Sequence, residues 1–334
     1  MKQQQVLKLK RSNRNETANI AVLGAGGLGM AATKMLAKKK EMRLAAIADK
    51  TGYIIDPRGI DPALLETKKP GEIGISTNDA ITHIIENSQE FDGIFLALPN
   101  LTNSFIPDIV SRFADAGYNG VMVDAMKRSQ AVEMIFELDD VIQDAGITYI
   151  TGAGATPGLL TCAAAIASNS FMEVTGVDIN FGVGVSNWES YRATIREDIA
   201  HLEGFNLKKA ADMTCAEIKR ELDNKKGILH LHDMEHADDV LLERAGIVSR
   251  EKVTVGGVVD TRNPRKPVST TMTLTGKTFD GAISSHKFIL GDETTMAANV
   301  VGPALGWMKA GLEFHERGIY GVFGSAELMP RFVL

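Results

Sequence analysis

Cysteine is almost missing from this chain. Its 334 residues carry two, Cys162 and Cys215. Neither stands in metal-ligand spacing, which excludes a zinc ribbon and a disulfide framework. Both are expected to be buried free thiols in a reducing compartment, with the cytoplasm as the location. Aromatic residues make up only 6% of the chain. No apolar run approaches the roughly 20 residues that a membrane span needs, so no membrane association is expected. An excess of positive charge is also lacking: the formal net charge is −6, which leaves no footprint for nucleic acid. The one basic concentration, "KLKRSNR" at 8–14, has no apolar stretch after it and reads as a mobile tail, not a secretory signal. Long repeats and low-complexity linkers are absent as well.

What is present is ordinary globular composition, 44% hydrophobic and 23% charged. The length exceeds what one core usually serves, so two domains are expected. Through the first half, strands and helices alternate. "NIAVLGAGGLGMAATKMLAKKK" (19–40) reads as strand, glycine turn and helix, "MRLAAIADK" (42–50) as a strand, and "FDGIFLALPN" (91–100) as another. "GVMVDAMK" (120–127), a helix over 129–145 and "ITYITGAG" (147–154) continue the pattern. Such alternation predicts a parallel sheet covered by helices. From 173 onward the rhythm changes to period two, in 173–185, 252–261, 268–279 and 282–292. That predicts a mainly antiparallel sheet with one face on a core. Helices are expected at 189–202, 214–223 and 233–245, with a long one at 294–316.

The glycine turn spells Gly24-x-Gly26-x-x-Gly29 between a strand and a helix, with Gly27 and Leu28 inside it. The glycines allow a tight turn and close approach of a pyrophosphate, and the helix N-terminus offers free amides. Asp49 lies twenty residues after Gly29 at the end of the next strand, where a ribose-binding acid belongs. Together they predict a dinucleotide-binding Rossmann domain over 17–155, an α+β substrate domain over 156–293, and a terminal helical segment, 294–334, packing back on the first. Lys50 and Thr51 follow Asp49 and suit a 2′-phosphate, so NAD and NADP both stay open. Pro99 and Asn100 end the 91–100 strand, on the side where such sheets bind ligands.

Lys127 ends a strand of the same sheet. It is expected near the nicotinamide end of the cofactor, with its pKa depressed by burial. A neutral amine there attacks a carbonyl to give a Schiff base. The plainer reading is a lysine that only binds a substrate carboxylate or a ribose hydroxyl. Arg192 and Arg196 lie four apart on one helix face, behind Trp188 and Tyr191. They suit a substrate carboxylate, or else a surface helix with Arg–Glu pairs. "HLHDMEH" (230–236) holds three histidines without a metal-binding pattern. No metal is expected, and His236 is the favoured acid–base candidate. "GAGATPG" (152–158) should close a strand and open a helix at Pro157, forming a hinge and a cleft wall.

The Rossmann start, the "GAGATPG" junction and the α+β second half resemble the saccharopine dehydrogenase-like oxidoreductases. "VDAMKRS" (123–129), "ESYRATIREDIAHL" (189–202) and "GAGGLG…IADKTG" (24–52) narrow the resemblance, nearly end to end, to the BioU family of biotin synthesis. That resemblance implies a single-turnover enzyme in which the lysine matching Lys127 is a reactant. Its amine forms an imine with the ketone of 8-amino-7-oxononanoate, and NAD(P)H reduces the imine. The substrate's own amine takes up carbon dioxide or bicarbonate as a carbamate. NAD(P)+ then oxidises the conjugate on the lysine side. Hydrolysis releases carboxylated 7,8-diaminononanoate and leaves a lysine aldehyde. The competing readings are a multiple-turnover saccharopine-type dehydrogenase acting on an amino or keto acid, and a nucleotide-binding regulator without chemistry. The oligomeric state is left open.

Overall fold

The computed structural model describes residues 17–291 and 296–334, with the side chains of 296 and 297 left aside. The first sheet begins with β1 (Ala18–Leu23), β2 (Met42–Asp49), β3 (Gly52–Ile55), β4 (Ile75–Ser76), β5 (Gly93–Leu96), β6 (Val121–Asp124) and β7 (Thr148–Thr151). The second is built from β8 (Glu173–Gly184), β9 (Ile228–Leu231), β10 (Val253–Asp260), β11 (Thr270–Lys277) and β12 (Ile283–Leu290). A last strand, β13 (Gly321–Gly324), returns to the first sheet. The strand orders are β13-β7-β6-β5-β1-β2-β3-β4 and β12-β11-β8-β10-β9. All pairs from β13 to β2 are parallel, and β3 and β4 add an antiparallel edge. In the second sheet only β8 and β10 run parallel. The fold is therefore an α/β Rossmann-type sheet joined to an α+β unit with a mainly antiparallel sheet.

Alternation along β1 explains why the first sheet needs helices on both faces. Ile20 and Val22 enter one core and Ala21 and Leu23 the other, all fully buried. The terminal helix Met296–His315 lies on the Ile20 side, where Trp307 and Met308 are fully buried against Val121, Val123 and Ile150. Trp307 also donates its indole N–H to the Leu328 carbonyl at 2.9 Å. Thr294, the expected start of this helix, falls outside the described residues. A third core fills the space between the second sheet and its helices.

Several local expectations need correction. The stretch 129–145 is two helices, Ser129–Phe136 and Asp139–Asp144, broken at Leu138. The stretch 233–245 is helical only over Asp238–Arg244, and the residues ahead of it include β9. The helix after "GAGATPG" starts at Leu159, not at Pro157, because Gly158 adopts φ +131°, far from helical geometry. Cys162 is buried, but Cys215 is exposed at the first position of the helix Cys215–Asn224. Among the described residues no helix is long and apolar enough to cross a membrane.

Candidate active site

The glycine loop closes on itself. Gly24 has φ +108°, and a Cβ there would lie 2.3 Å from the Ala97 carbonyl oxygen. A Cβ on Gly29 would lie 1.7 Å from the Gly24 carbonyl oxygen. Gly26 is the opposite case: it is exposed, and an added Cβ meets nothing within 4 Å among the described residues. It caps the helix Gly27–Leu36 without a side-chain hydrogen bond, so an anion arriving over Gly26 faces open amides at a helix N-terminus. Leu28 packs inward against the first core. Asp49 ends β2, and its Oδ1 accepts from the Thr51 amide at 2.8 Å and the Thr51 hydroxyl at 2.5 Å. Lys50 is exposed beside it. Pro99 and Asn100 follow β5, exposed and half-buried. An open glycine facing a helix start, with an acid at the next strand end, fits a dinucleotide.

Lys127 stands three residues beyond the end of β6, in a loop tied down from beneath. Asp124 is fully buried and accepts four hydrogen bonds: from the Met126 and Gly152 amides, both 2.9 Å, the Tyr149 hydroxyl, 2.7 Å, and the Thr151 hydroxyl, 3.2 Å. Burial pushes its carboxyl pKa up in spite of those donors. Above this anchor the Lys127 side chain, 22% accessible, crosses to the helix Arg192–Ala200 of the second half. Its Nζ lies 3.1 Å from Asp198 Oδ1 and 3.2 Å from Glu197 Oε2. Arg128 reaches the other oxygen of Glu197 at 3.3 Å and Asn103 Oδ1 at 3.2 Å.

This overturns the expectation of a depressed lysine pKa. Burial does pull it down, but the charges and hydrogen bonds of Asp198 and Glu197 outweigh burial and hold the amine above the ordinary lysine range. Neither acid was expected from the sequence, although one signal was there. Ile195, Asp198 and Ile199 share one helix stripe, Leu202 follows just past the helix end, and all four are buried. An acid on an apolar stripe requires a buried partner.

His236 is buried, with Nδ1 2.7 Å from Asp238 Oδ2. Asp238 is fully buried and also accepts from the Thr156 hydroxyl, 2.7 Å, and the Thr161 hydroxyl, 2.5 Å. The "GAGATPG" junction thus supplies one of the hydroxyls that hold the acid behind the histidine. The segment that carries His236 and Asp238 docks on the lysine loop: the Ala237 amide donates to the Lys127 carbonyl at 2.8 Å, and the Ser129 hydroxyl to Asp239 at 2.9 Å. His230 and His232 sit apart, exposed on β9 and just beyond it. Among the described residues no group of three or more His, Cys, Asp or Glu side chains is placed to hold a metal.

The four remaining candidates have different placements. Tyr191 lays its ring on the glycine loop, where a Cβ on Gly27 would come within 2.8 Å of Cε1. Trp188 is half-buried on the third core. Arg192 is exposed at the start of its helix. Arg196 is half-buried and donates Nη2 to the Met213 carbonyl at 2.5 Å, while its buried Nε has no partner among the described residues. So one helix and its preceding turn bring Tyr191 to the dinucleotide loop and Glu197 and Asp198 to Lys127. Arg196 is turned partly to the protein's own backbone.

A protein from Haloferax mediterranei, "(S)-8-amino-7-oxononanoate synthase BioU", is 43% identical over 349 residues, covering 94% of this chain and 99% of that one. The chain belongs to the BioU family. Residues 3–102 also match the family model of Glutamate/Leucine/Phenylalanine/Valine dehydrogenase. Among solved structures, an engineered D-amino acid dehydrogenase bound to NADP+ superposes with a TM-score of 0.57 at 15% identity, covering 94% of this chain and 95% of that one. Saccharopine dehydrogenase (L-Glu forming) from Saccharomyces cerevisiae gives 0.55 at 12%, covering 93% and 94%. At such identities the shared feature is the fold, which runs through both halves of this BioU family member. The lysine, its two acids and the braced histidine are properties of this chain's own residues.

Proposed function

We propose that this chain acts in biotin biosynthesis on 8-amino-7-oxononanoate, the compound in the name of its Haloferax relative, and that Lys127 donates its own nitrogen in a single turnover. The observation that carries this reading is the position of Lys127. It follows a strand of the dinucleotide-type sheet, is braced from below by Asp124, and points into the contact with the second half, where substrate would enter. Gly24, Gly26, Gly27, Leu28 and Gly29 would hold the pyrophosphate of NAD(P), Asp49, Lys50 and Thr51 its ribose, and Pro99 and Asn100 the approach to nicotinamide. When bound, the cofactor supplies a hydride to the substrate carbon and later accepts one from the lysine side.

The chain's own residues do the rest. Lys127 carries the ketone as an imine. Trp188, Tyr191, Arg192 and Arg196 form the substrate wall, and the arginines answer its carboxylate. His236, braced by Asp238, moves protons in the later steps. The substrate's free amine takes up carbon dioxide or bicarbonate as a carbamate. The cleft between residues 17–155 and 156–293 encloses the reaction, and 294–334 supports the first unit.

A second reading is a multiple-turnover, saccharopine-type dehydrogenase. It draws on the paired state of Lys127, which suits a binding or proton-transfer lysine as well as a nucleophile. Product counting separates the two. With substrate, bicarbonate and both cofactor forms in excess, the first reading predicts that product stops at one per chain. Product beyond the protein present supports the second.

A further inference from the structure

We propose that Asp198 is the proton acceptor and donor for imine formation at Lys127, and that Glu197 is held out of this role by Arg128. The proposal rests on the function proposed above and assigns a residue to its first step. Two carboxylates touch the same amine, at 3.1 Å and 3.2 Å, but their surroundings differ. Glu197 uses its second oxygen on the Arg128 guanidinium at 3.3 Å, so it keeps a cationic partner whatever Lys127 does. Asp198 is 4% exposed, and among the described residues Lys127 is the cation paired with it. A buried carboxylate whose single cation becomes neutral is left as an uncompensated charge, and that drives it to take the proton.

The other groups around the amine do not compete for this task. Arg128 stays protonated in proteins. His236 uses Nδ1 on Asp238, and its segment meets Lys127 through the backbone. Asp124 is saturated by four donors beneath the loop.

The step balances. The Lys127 ammonium gives a proton to the Asp198 carboxylate and becomes a neutral amine. The amine nitrogen bonds to the ketone carbon, and the carbonyl electrons pass to oxygen, which takes a proton from the new N–H bond to give a carbinolamine. The Asp198 carboxylic acid then returns its proton to that oxygen. Water leaves, and the C=N bond forms as a cationic iminium facing the restored carboxylate. The arrangement explains why a lysine meant to react is held protonated: the pair that suppresses the free amine is the pair that stabilises the iminium.

The test reads Lys127 chemically in the intact protein. Formaldehyde with cyanoborohydride methylates amines through an imine, and peptide mass spectrometry gives the rate at Lys127 relative to exposed lysines such as Lys50. Separately, borohydride traps the conjugate with 8-amino-7-oxononanoate. In the wild type, Lys127 should label at least tenfold more slowly than exposed lysines at pH 8, the ratio for about one pKa unit. Asp198→Asn should move the Lys127 labelling profile to lower pH, yet slow conjugation with the ketone by roughly 100-fold, as loss of an acid–base group does. Glu197→Gln should slow conjugation less. A purely structural Asp198 would not give a more available amine together with slower conjugation. The proposal is overturned if Asp198→Asn conjugates as fast as the wild type, or if its labelling profile is unchanged. If that variant fails to fold, wild-type Lys127 labelling as fast as Lys50 overturns it instead. A wild type that traps no conjugate refutes the proposed function, and the shift or constancy of the formaldehyde profile then decides the proton acceptor separately.

Discussion

Tyr191 rests on Gly27: the ring stands where a side chain on this glycine would have to go, 2.8 Å from an added Cβ. Gly29 is tight as well, but against the Gly24 carbonyl oxygen at 1.7 Å. A ring can swing aside; a backbone carbonyl inside a closed turn cannot. Gly29→Ala should therefore destabilise the fold by about 1–3 kcal/mol or more and abolish NAD(P)H binding. Gly27→Ala should leave the melting temperature close to wild type while changing cofactor affinity, because it displaces Tyr191. Thermal melts and NAD(P)H fluorescence titration check both. Equal effects from the two variants would contradict the distinction.

Asp238 carries a separate load. It is fully buried and receives His236, Thr156 and Thr161. Asp238→Ala leaves these groups without their acceptor, at about 1–3 kcal/mol for each one left unsatisfied. Urea denaturation should show a lower midpoint with an unchanged slope. Since this segment also docks on the Lys127 carbonyl, the lysine loop should become more protease-sensitive. An unchanged midpoint would contradict the arrangement.

Lys127→Arg keeps a cation between Glu197 and Asp198 but removes a group able to lose its proton and become a nucleophile. The variant is expected to fold, to bind NAD(P)H, and to trap no ketone under borohydride. Because the folded state raises the Lys127 pKa, the stability from this pairing is complete below the unfolded lysine value and is lost only as pH rises through the higher folded value. The wild type should therefore keep this contribution across neutral and mildly alkaline pH.

The two thiols should behave differently. Burial pushes the Cys162 thiol up to about 11, and its Sγ contacts Met329 Sδ at 3.3 Å. Cys215 is exposed. A thiol reagent at pH 8 should titrate Cys215 in the native protein and both thiols after denaturation. Rapid native modification of Cys162 would contradict its burial.

Spacing made the glycine loop, Asp49 and the long strands of both sheets legible, because each depends on a local period. The position of Lys127, just beyond a buried strand, was legible too. The misses came chiefly where a contact joined distant segments. β9 and β13 were missed, although β5, β6 and β7, also of four residues each, were read. The pairing of Lys127 with Glu197 and Asp198 joins positions about seventy residues apart, and it reversed the expected direction of the lysine pKa. Pro157 looked like a helix start, and the Gly158 turn displaced that start to Leu159. Arg196 looked free for a substrate, but Met213 lies within its reach.

The most direct test of the central claim is to map the peptide containing Lys127 by mass spectrometry. The protein is first incubated with 8-amino-7-oxononanoate, reduced and oxidised cofactor, and bicarbonate. The account predicts that Lys127, and no other lysine, becomes an aldehyde as product forms. Product accumulating while Lys127 remains an amine would contradict it.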